Sequence, residues 1–223
     1  MLEKITFNSI NKAKMLEYRI REGIRAEQAT PAFILVHGYG SHADDLFSFA
    51  PHLPETHTVI SIQAPISLDF GGYAWYPISF ETEGKLKTEV SDAWKAVDLI
   101  TKTIDTLIEK HTLNPKDISY LGFSQGAILG WAFAFTYPNK VRRLIVLSGF
   151  IHESVSVTST TPFQVFASHG TNDPVISIDL PRTSILPLQK ANPSITYNEY
   201  PEGHTLSQQN FMDMLEWISK TNL

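Results

Sequence analysis

The feature that most constrains this chain is the pentapeptide Gly-Phe-Ser-Gln-Gly at residues 122–126. An apolar run precedes it at 118–121 and another follows it at 127–135, which indicates a strand, a sharp turn and a helix with Ser124 at the apex. The backbone of such a turn is strained, and the serine hydroxyl is exposed at the carboxyl edge of a sheet. Gly122 and Gly126 are expected because a Cβ at either position would press on the neighbouring strand and helix. Ser124 is therefore a candidate nucleophile.

Strands and helices alternate along the chain from residue 33 onward. We predict strands at 33–36, 58–62, 118–123, 144–147, 163–167 and 195–200, and helices at 44–52, 89–111, from 125 to just before Pro138, and at 206–219. Two more strands, at 2–7 and 15–20, are expected to form a hairpin at the sheet edge. A further helix is expected to begin near Pro181 and to kink or restart at Pro187, because proline interrupts a helix. The alternation predicts one α/β domain over residues 1–223, with a mostly parallel sheet covered by helices on both faces.

Composition excludes several classes of protein. The chain has no cysteine, so a cysteine nucleophile, disulfides and cysteine metal sites are excluded. Its formal net charge is −5 and it has no cluster of Lys or Arg, so neither nucleic acid nor an anionic membrane surface is an expected partner. Residues 1–10 lack the apolar core of a signal peptide, and no apolar run approaches the length of a membrane span. These absences predict a cytoplasmic protein without membrane insertion.

Polar segments follow four of the predicted strands, at 37–40, at Ser124, at 169–173 and at 202–204. Because the carboxyl ends of parallel strands meet at one edge of the sheet, these segments are expected to lie together. A serine hydroxyl needs a base within hydrogen-bond reach, and that base needs an acid that holds its tautomer. The chain order Ser124, Asp173, His204 is the order found in the α/β-hydrolase fold.

Three motifs carry a family resemblance: Gly-Phe-Ser-Gln-Gly-Ala at 122–127, His-Gly-Thr-Asn-Asp-Pro-Val at 169–175 and Gly-His-Thr-Leu at 203–206. Together they resemble the phospholipase/carboxylesterase family, which includes the acyl-protein thioesterases, over about residues 31–220.

The resemblance implies an α/β-hydrolase fold and a cofactor-free mechanism. It implies Ser124 as nucleophile, Asp173 as acid and His204 as base. It also implies an oxyanion hole formed by the backbone N–H groups of Tyr39 and Gln125, for which no particular side chain is needed.

The chain departs from the family pattern in two segments. Better-known thioesterase members carry Leu-Gly-Asp after the His-Gly pair, where this chain has Tyr-Gly-Ser at 39–41. The segment 71–76 loosely resembles the family's Trp-aromatic stretch near the acyl pocket. Trp75, Tyr76 and Phe123 are therefore candidate substrate contacts, although aromatic side chains equally pack protein cores.

Each assignment has a structural alternative. Asp173 precedes a proline and could cap a helix, in which case Asp179 would be the acid. His37 and His169 lie in glycine-containing turns and are expected to hold loop geometry. The cluster of His37, His42, Asp44 and Asp45 mixes metal-ligand types, but its spacing matches no established site, and no metal is predicted.

The sequence thus predicts a serine hydrolase that cleaves small esters or thioesters of short- to medium-chain acyl groups through an acyl-enzyme. One alternative keeps the triad but passes the acyl group to peroxide or an alcohol. Another is a non-catalytic binding protein on the same fold, since fold does not imply function. Only residues 150–162, rich in Ser and Thr, separate two predicted strands, and no helical lid is expected there.

Overall fold

The computed structural model describes residues 15–24, 29–80 and 86–221. The predicted strand at 2–7 lies outside these residues. In chain order the elements are β1 (Tyr18–Arg21), β2 (Thr30–Val36), α1 (Ala43–Phe47), β3 (Thr58–Ile62), β4 (Ile66–Ser67), β5 (Tyr73–Ala74), β6 (Ser79–Phe80), β7 (Leu86–Lys87), α2 (Val90–His111), β8 (Leu113–Phe123), α3 (Gln125–Thr136), β9 (Arg143–Leu147), β10 (Gln164–Gly170), α4 (Asp179–Ser184), α5 (Leu186–Ala191), β11 (Ile195–Tyr200) and α6 (Gln208–Lys220).

The described residues form a seven-stranded sheet in the order β1-β3-β2-β8-β9-β10-β11. Every pair of neighbouring strands is parallel except β1 and β3, which are antiparallel. The predicted mostly parallel sheet is confirmed, and the strand predicted at 15–20 lies, as β1, at the sheet edge among the described residues. The carboxyl ends of β2, β8, β10 and β11 lie at the same edge, which brings together the four polar segments that follow them.

The core occupies both faces of the sheet, as the unbroken apolar runs of the central strands require. In β2, Ile34 and Val36 pack into a core cluster with residues of α2 and α3, while Phe33 and Leu35 pack into a second cluster with residues of α1 and α6. Successive side chains of a strand point to opposite faces, so one continuous apolar strand supplies both clusters. Helix α3, directly after Ser124, is apolar on all sides and almost entirely buried.

Several predicted elements differ in their bounds. The helix expected at 44–52 is the shorter α1 followed by a separate 3-10 turn at Ala50–His52, since Pro51 has no N–H to continue an α-helix. Helix α2 ends at His111, before Asn114 and Pro115, with Thr112 in the left-handed conformation at φ 53°. Strand β8 already begins at Leu113, and its register against β2 shifts before Ile118. Pro115 therefore lies inside β8 and does not end α2.

The helix expected near Pro181 is two helices. Helix α4 begins at Asp179, slightly earlier than predicted, and α5 begins at Leu186, with Pro187 in its first turn. The restart at Pro187 is confirmed, because proline is tolerated in a first turn, where its missing N–H needs no partner.

Candidate active site

Ser124 occupies a strained turn between β8 and α3. Its φ of 52° and ψ of −115° are values that residues with a Cβ rarely adopt. Its N–H donates to the carbonyl oxygen of Leu147 at 2.9 Å, which ties the turn to the neighbouring strand β9. A Cβ on Gly122 would lie 2.4 Å from the carbonyl oxygen of Gly126. The expected serine elbow, with glycine required before it, is confirmed.

His204 connects Ser124 to Asp173. Its Nε2 lies 2.9 Å from the Oγ of Ser124, and its Nδ1 lies 2.7 Å from the Oδ2 of Asp173. An ionised carboxylate only accepts hydrogen bonds, so Nδ1 carries the proton and Nε2 accepts from the serine hydroxyl. The Asp173 side chain is fully buried, whereas that of His204 is 16% exposed. This arrangement lets the imidazole take the serine proton while the carboxylate holds its tautomer.

Asp173 is held by its own loop. Its Oδ1 accepts the N–H groups of Val175 at 2.8 Å and Ile176 at 2.9 Å. Burial raises the pKa of Asp173, but hydrogen bonds from His204 and from these two N–H groups outweigh it, so the pKa lies below its usual value. Asp173 thus caps the following turn with one oxygen and contacts the imidazole of His204 with the other. The alternative acid, Asp179, lies instead at the start of α4.

His169 is a second buried histidine beside Asp173. Its Nε2 lies 2.9 Å from the carbonyl oxygen of Ile176 and 3.3 Å from the Oδ2 of Asp173, and its side chain is fully buried. It therefore holds the turn that carries Asp173, as its place in a glycine-containing turn suggested.

The two backbone N–H groups expected to form an oxyanion hole adjoin Ser124. Gln125 is the first residue of α3, so its N–H has no partner inside the helix. Tyr39 follows Gly38, where an added Cβ would lie only 3.1 Å from the Cβ of Ser124. Within the described ranges, neither N–H donates a hydrogen bond to the protein. Both donors are thus free for a ligand at the serine.

The side chain of Gln125 has a contact that the sequence did not indicate. Its Oε1 accepts the N–H of Trp75 at 2.8 Å, and its Nε2 donates to the carbonyl oxygen of Tyr76 at 2.9 Å. Gln125 is 2% exposed, so both bonds are shielded from water. The only signal in the sequence was a polar residue before an apolar helix, and it could not identify a partner 50 positions away.

His37 has a structural position. Its Nε2 accepts the N–H of Ala64 at 3.1 Å, so Nδ1 carries the proton and donates to the carbonyl oxygen of Gly38 at 2.8 Å. Burial lowers the pKa of His37 to about 4, which keeps it neutral. Asp44, from the same candidate metal cluster, pairs with Arg19 at 2.6 Å. In the part of the chain that the structure describes, no three His, Asp or Glu side chains converge as metal ligands would.

The three candidate substrate contacts differ in position. Trp75 is fully buried, and its Nε1 donates to the carbonyl oxygen of His37 at 2.8 Å, so it presents no surface to a ligand here. The Phe123 ring lies 5.1 Å from the ring of His204. Tyr76 lines a cleft between the first turns of α2 and the middle of α3, together with Thr88, Val90, Ala93, Trp94, Val97, Ile128, Leu129, Ala132, His152, Ser154 and Val155.

A strained serine between a strand and a helix, a histidine after the last strand and an aspartate after the strand before it define an α/β-hydrolase. The fold of a Bacillus cereus carboxylesterase agrees, with a TM-score of 0.78, 20% identity, and coverage of 94% of this chain and 96% of that one. The family model of the phospholipase/carboxylesterase family matches residues 19–222, and the chain belongs to this family.

Relatives extend the comparison. Acyl-protein thioesterase 1 of Debaryomyces hansenii is 27% identical over 222 residues, covering 89% of this chain and 94% of that protein. Carboxylesterase SOBER1 of Arabidopsis thaliana is 28% identical over 136 residues, covering 58% of this chain and 59% of that protein. Family membership makes the chain an enzyme, a hydrolase of the esterase and thioesterase type. None of the helices in the described ranges is long and apolar enough to cross a membrane.

Proposed function

We propose that this hydrolase cleaves carboxylic esters and thioesters through an acyl-enzyme on Ser124. The supporting observation is the chain of hydrogen bonds from Ser124 through His204 to Asp173, at 2.9 and 2.7 Å. The Oγ of Ser124 attacks the carbonyl carbon while its proton passes to Nε2 of His204. The imidazolium then protonates the leaving alcohol or thiol as its bond to carbon breaks. A water molecule then attacks the acyl-enzyme, with His204 again as base and then acid, and the carboxylic acid is released.

The negative charge of each tetrahedral intermediate would lie against the N–H groups of Tyr39 and Gln125. Both donors belong to backbone that is already held in place, so they need little rearrangement when the charge develops. The N-terminus of α3 adds the partial positive charge of the helix dipole at the same point.

We assign the acyl group to the cleft between α2 and α3. The side chains of Ile128 and Leu129 line this cleft about one helical turn beyond Ser124, and the N–H of Ile128 donates to the Ser124 carbonyl at 3.0 Å. Residues 148–163, between β9 and β10, contain no helix that could cover the site. A small uncovered cleft favours short- and medium-chain acyl groups, and a lid that opens at a lipid surface has no counterpart in this segment.

The test is labelling and turnover of Ser124→Ala beside the unchanged protein. A fluorophosphonate probe should add its mass to the peptide containing Ser124, and the substitution should abolish labelling and reduce kcat for p-nitrophenyl acetate on the order of 10⁶-fold. Ser219→Ala, on the exposed end of α6, is the matched control and should label and turn over normally. Hydrolysis that survives in Ser124→Ala refutes the proposal.

The alternative of acyl transfer uses the same three side chains and differs only in the acceptor. Product analysis in water with added methanol or hydrogen peroxide separates the possibilities. A hydrolase yields mainly free acid, whereas an acyltransferase yields mainly ester or peracid. The cytoplasmic location stays a prediction of the sequence.

A further inference from the structure

The loop that carries His204 is closed by one buried carboxylate. Glu202 is 8% exposed, and its Oε2 accepts the N–H of Ser207 at 2.6 Å. Its Oε1 accepts the Nδ2 of Asn210 at 2.7 Å. The carboxylate therefore joins the two ends of the segment 202–207, and His204 lies inside the ring that this closure forms.

Between its two ends, the backbone of this loop is held by few hydrogen bonds. In the described part of the chain, none of the N–H groups of residues 203–206 donates a hydrogen bond to the protein. The carbonyl oxygen of Glu202, however, accepts the N–H of Asn172 at 3.0 Å, next to Asp173. Glu202 thus connects the loop of His204 both to α6 and to the loop that carries Asp173.

Helix capping alone does not account for Glu202. Ser207 already caps α6, since its Oγ accepts the N–H of Asn210 at 3.3 Å. Both side-chain partners of Glu202 are neutral N–H donors, and the carboxylate lies at the N-terminus of the 13-residue α6, where the helix dipole favours negative charge. The carboxylate can therefore stay buried at this point and span the loop.

We propose that Glu202 is a positioning residue that holds the imidazole of His204 between Ser124 and Asp173. The inference rests on the proposed function, because it concerns the geometry of the base in that reaction. A misplacement of about 1 Å in a reacting group can cost about 100-fold in rate. Loss of the closure should therefore slow the chemical step and leave substrate binding nearly unchanged.

The substitution Glu202→Gln should preserve the closure. The amide oxygen of glutamine can accept the N–H of Ser207, and its amide nitrogen can donate to Oδ1 of Asn210 once that side chain turns over. Asn210 Oδ1 is buried and has no hydrogen-bond partner among the described residues, so the turned amide loses no bond. Glu202→Gln therefore removes the charge and keeps the closure, whereas Glu202→Ala removes both.

The experiment compares kcat and KM of Glu202→Ala and Glu202→Gln for p-nitrophenyl acetate. In Glu202→Ala, kcat should fall about 10- to 100-fold with KM within about twofold, while Glu202→Gln should keep kcat within about threefold. Unchanged kcat in a folded Glu202→Ala, with only a lower Tm, overturns the positioning role. Equal loss in both variants overturns it too, since charge rather than closure would then matter.

A second pair of variants tests the closure from the other end. Ser207 has φ −69°, which proline can adopt, so Ser207→Pro removes the N–H that donates to Glu202 without requiring a new φ. Ser207→Ala is the matched control, because both substitutions remove the hydroxyl that caps α6 but Ser207→Ala keeps the N–H that donates to Glu202. We expect a kcat loss of about tenfold or more in Ser207→Pro alone. Equal kcat in the two variants contradicts the proposal, even if Glu202→Ala does not fold.

Ser124→Ala, assayed in parallel, separates this inference from the proposed function. Activity that persists in Ser124→Ala refutes the serine mechanism itself. Wild-type kcat in Glu202→Ala, with Ser124→Ala inactive, refutes only the positioning role.

Discussion

Gly126 lies so close to Val36 that a Cβ on this glycine would be 2.0 Å from the carbonyl oxygen of Val36. Gly126 is the second residue of α3, and Val36 is the last residue of β2. The contact therefore sets the distance between helix and sheet directly beside Ser124. Because the obstructing atom belongs to the backbone of a central strand, it cannot move aside as a flexible side chain could.

Gly126→Ala should consequently destabilise the protein by at least about 3 kcal/mol, the upper part of the range for overpacked cores, and should lower kcat by displacing Ser124. Urea unfolding and p-nitrophenyl acetate turnover measure the two effects. Gly203→Ala is the control for stability, because its nearest neighbours would lie 3.8 Å away, and about 0.5 kcal/mol or less is expected. Equal losses in the two variants would show that α3 can shift freely.

Asp173→Asn should leave the fold intact and reduce kcat about 10⁴-fold. The asparagine amide can face Nδ1 of His204 with a donor, which would place the imidazole proton on Nε2, where it cannot accept from Ser124. Asp179→Asn is the matched control and should keep its kcat. If Asp179→Asn instead loses activity and Asp173→Asn keeps it, the acid has been assigned to the wrong residue.

Gln125→Ala should reduce stability even though the proposed oxyanion donor, a backbone N–H, is retained. The substitution leaves the Trp75 N–H and the Tyr76 carbonyl buried without partners, at about 1–3 kcal/mol for each group. Gln209→Ala, which removes the same side chain from the surface of α6, should change stability by less than about 0.5 kcal/mol. Denaturant midpoints of the two variants give the comparison, and equal midpoints would mean that water replaces the lost bonds.

Ala93→Phe should narrow the cleft assigned to the acyl group. We expect kcat/KM for p-nitrophenyl octanoate to fall about tenfold or more relative to the acetate, because a longer chain loses its apolar contacts. The acetate serves as internal control. For the unchanged protein, rates followed through the solubility limit of each ester should rise smoothly. An unchanged octanoate-to-acetate ratio in Ala93→Phe would contradict the assigned subsite, and a sharp increase on emulsion formation would contradict the absence of a lid.

His57 should make stability depend on pH. Burial lowers the pKa of His57 from 6.5 to about 4. The unfolded chain therefore binds more protons than the folded chain between these values, and the free energy of unfolding should fall as the pH drops through this window. Unfolding at about pH 7.5 and about pH 5 measures the fall, which should be smaller in His57→Gln. An equal fall in both proteins would assign the effect to other groups, such as the similarly buried His37.

Periodicity in the sequence was sufficient for most elements of the fold. Strand β3 and the end of α2 lie where the apolar pattern placed them. The errors occur where the pattern is silent: Pro51 separates a 3-10 turn from α1, and β8 begins at Leu113, before Pro115. Local chemistry of single residues decided these boundaries, whereas burial of a repeating apolar face decided the elements.

What the sequence determined by itself was the fold class, the serine turn and the chain order of Ser124, Asp173 and His204, because each can be seen in the order of residues and apolar runs along the chain. The tertiary structure decided which aspartate meets His204, that Trp75 is buried, and that Gln125 and Glu202 hold neighbouring segments in place. Gln125 bonds to residues about 50 positions away, and Glu202 joins loops that follow two different strands. Such contacts exist only once the parallel sheet brings the ends of distant strands to one edge, so no local pattern in the chain can indicate them.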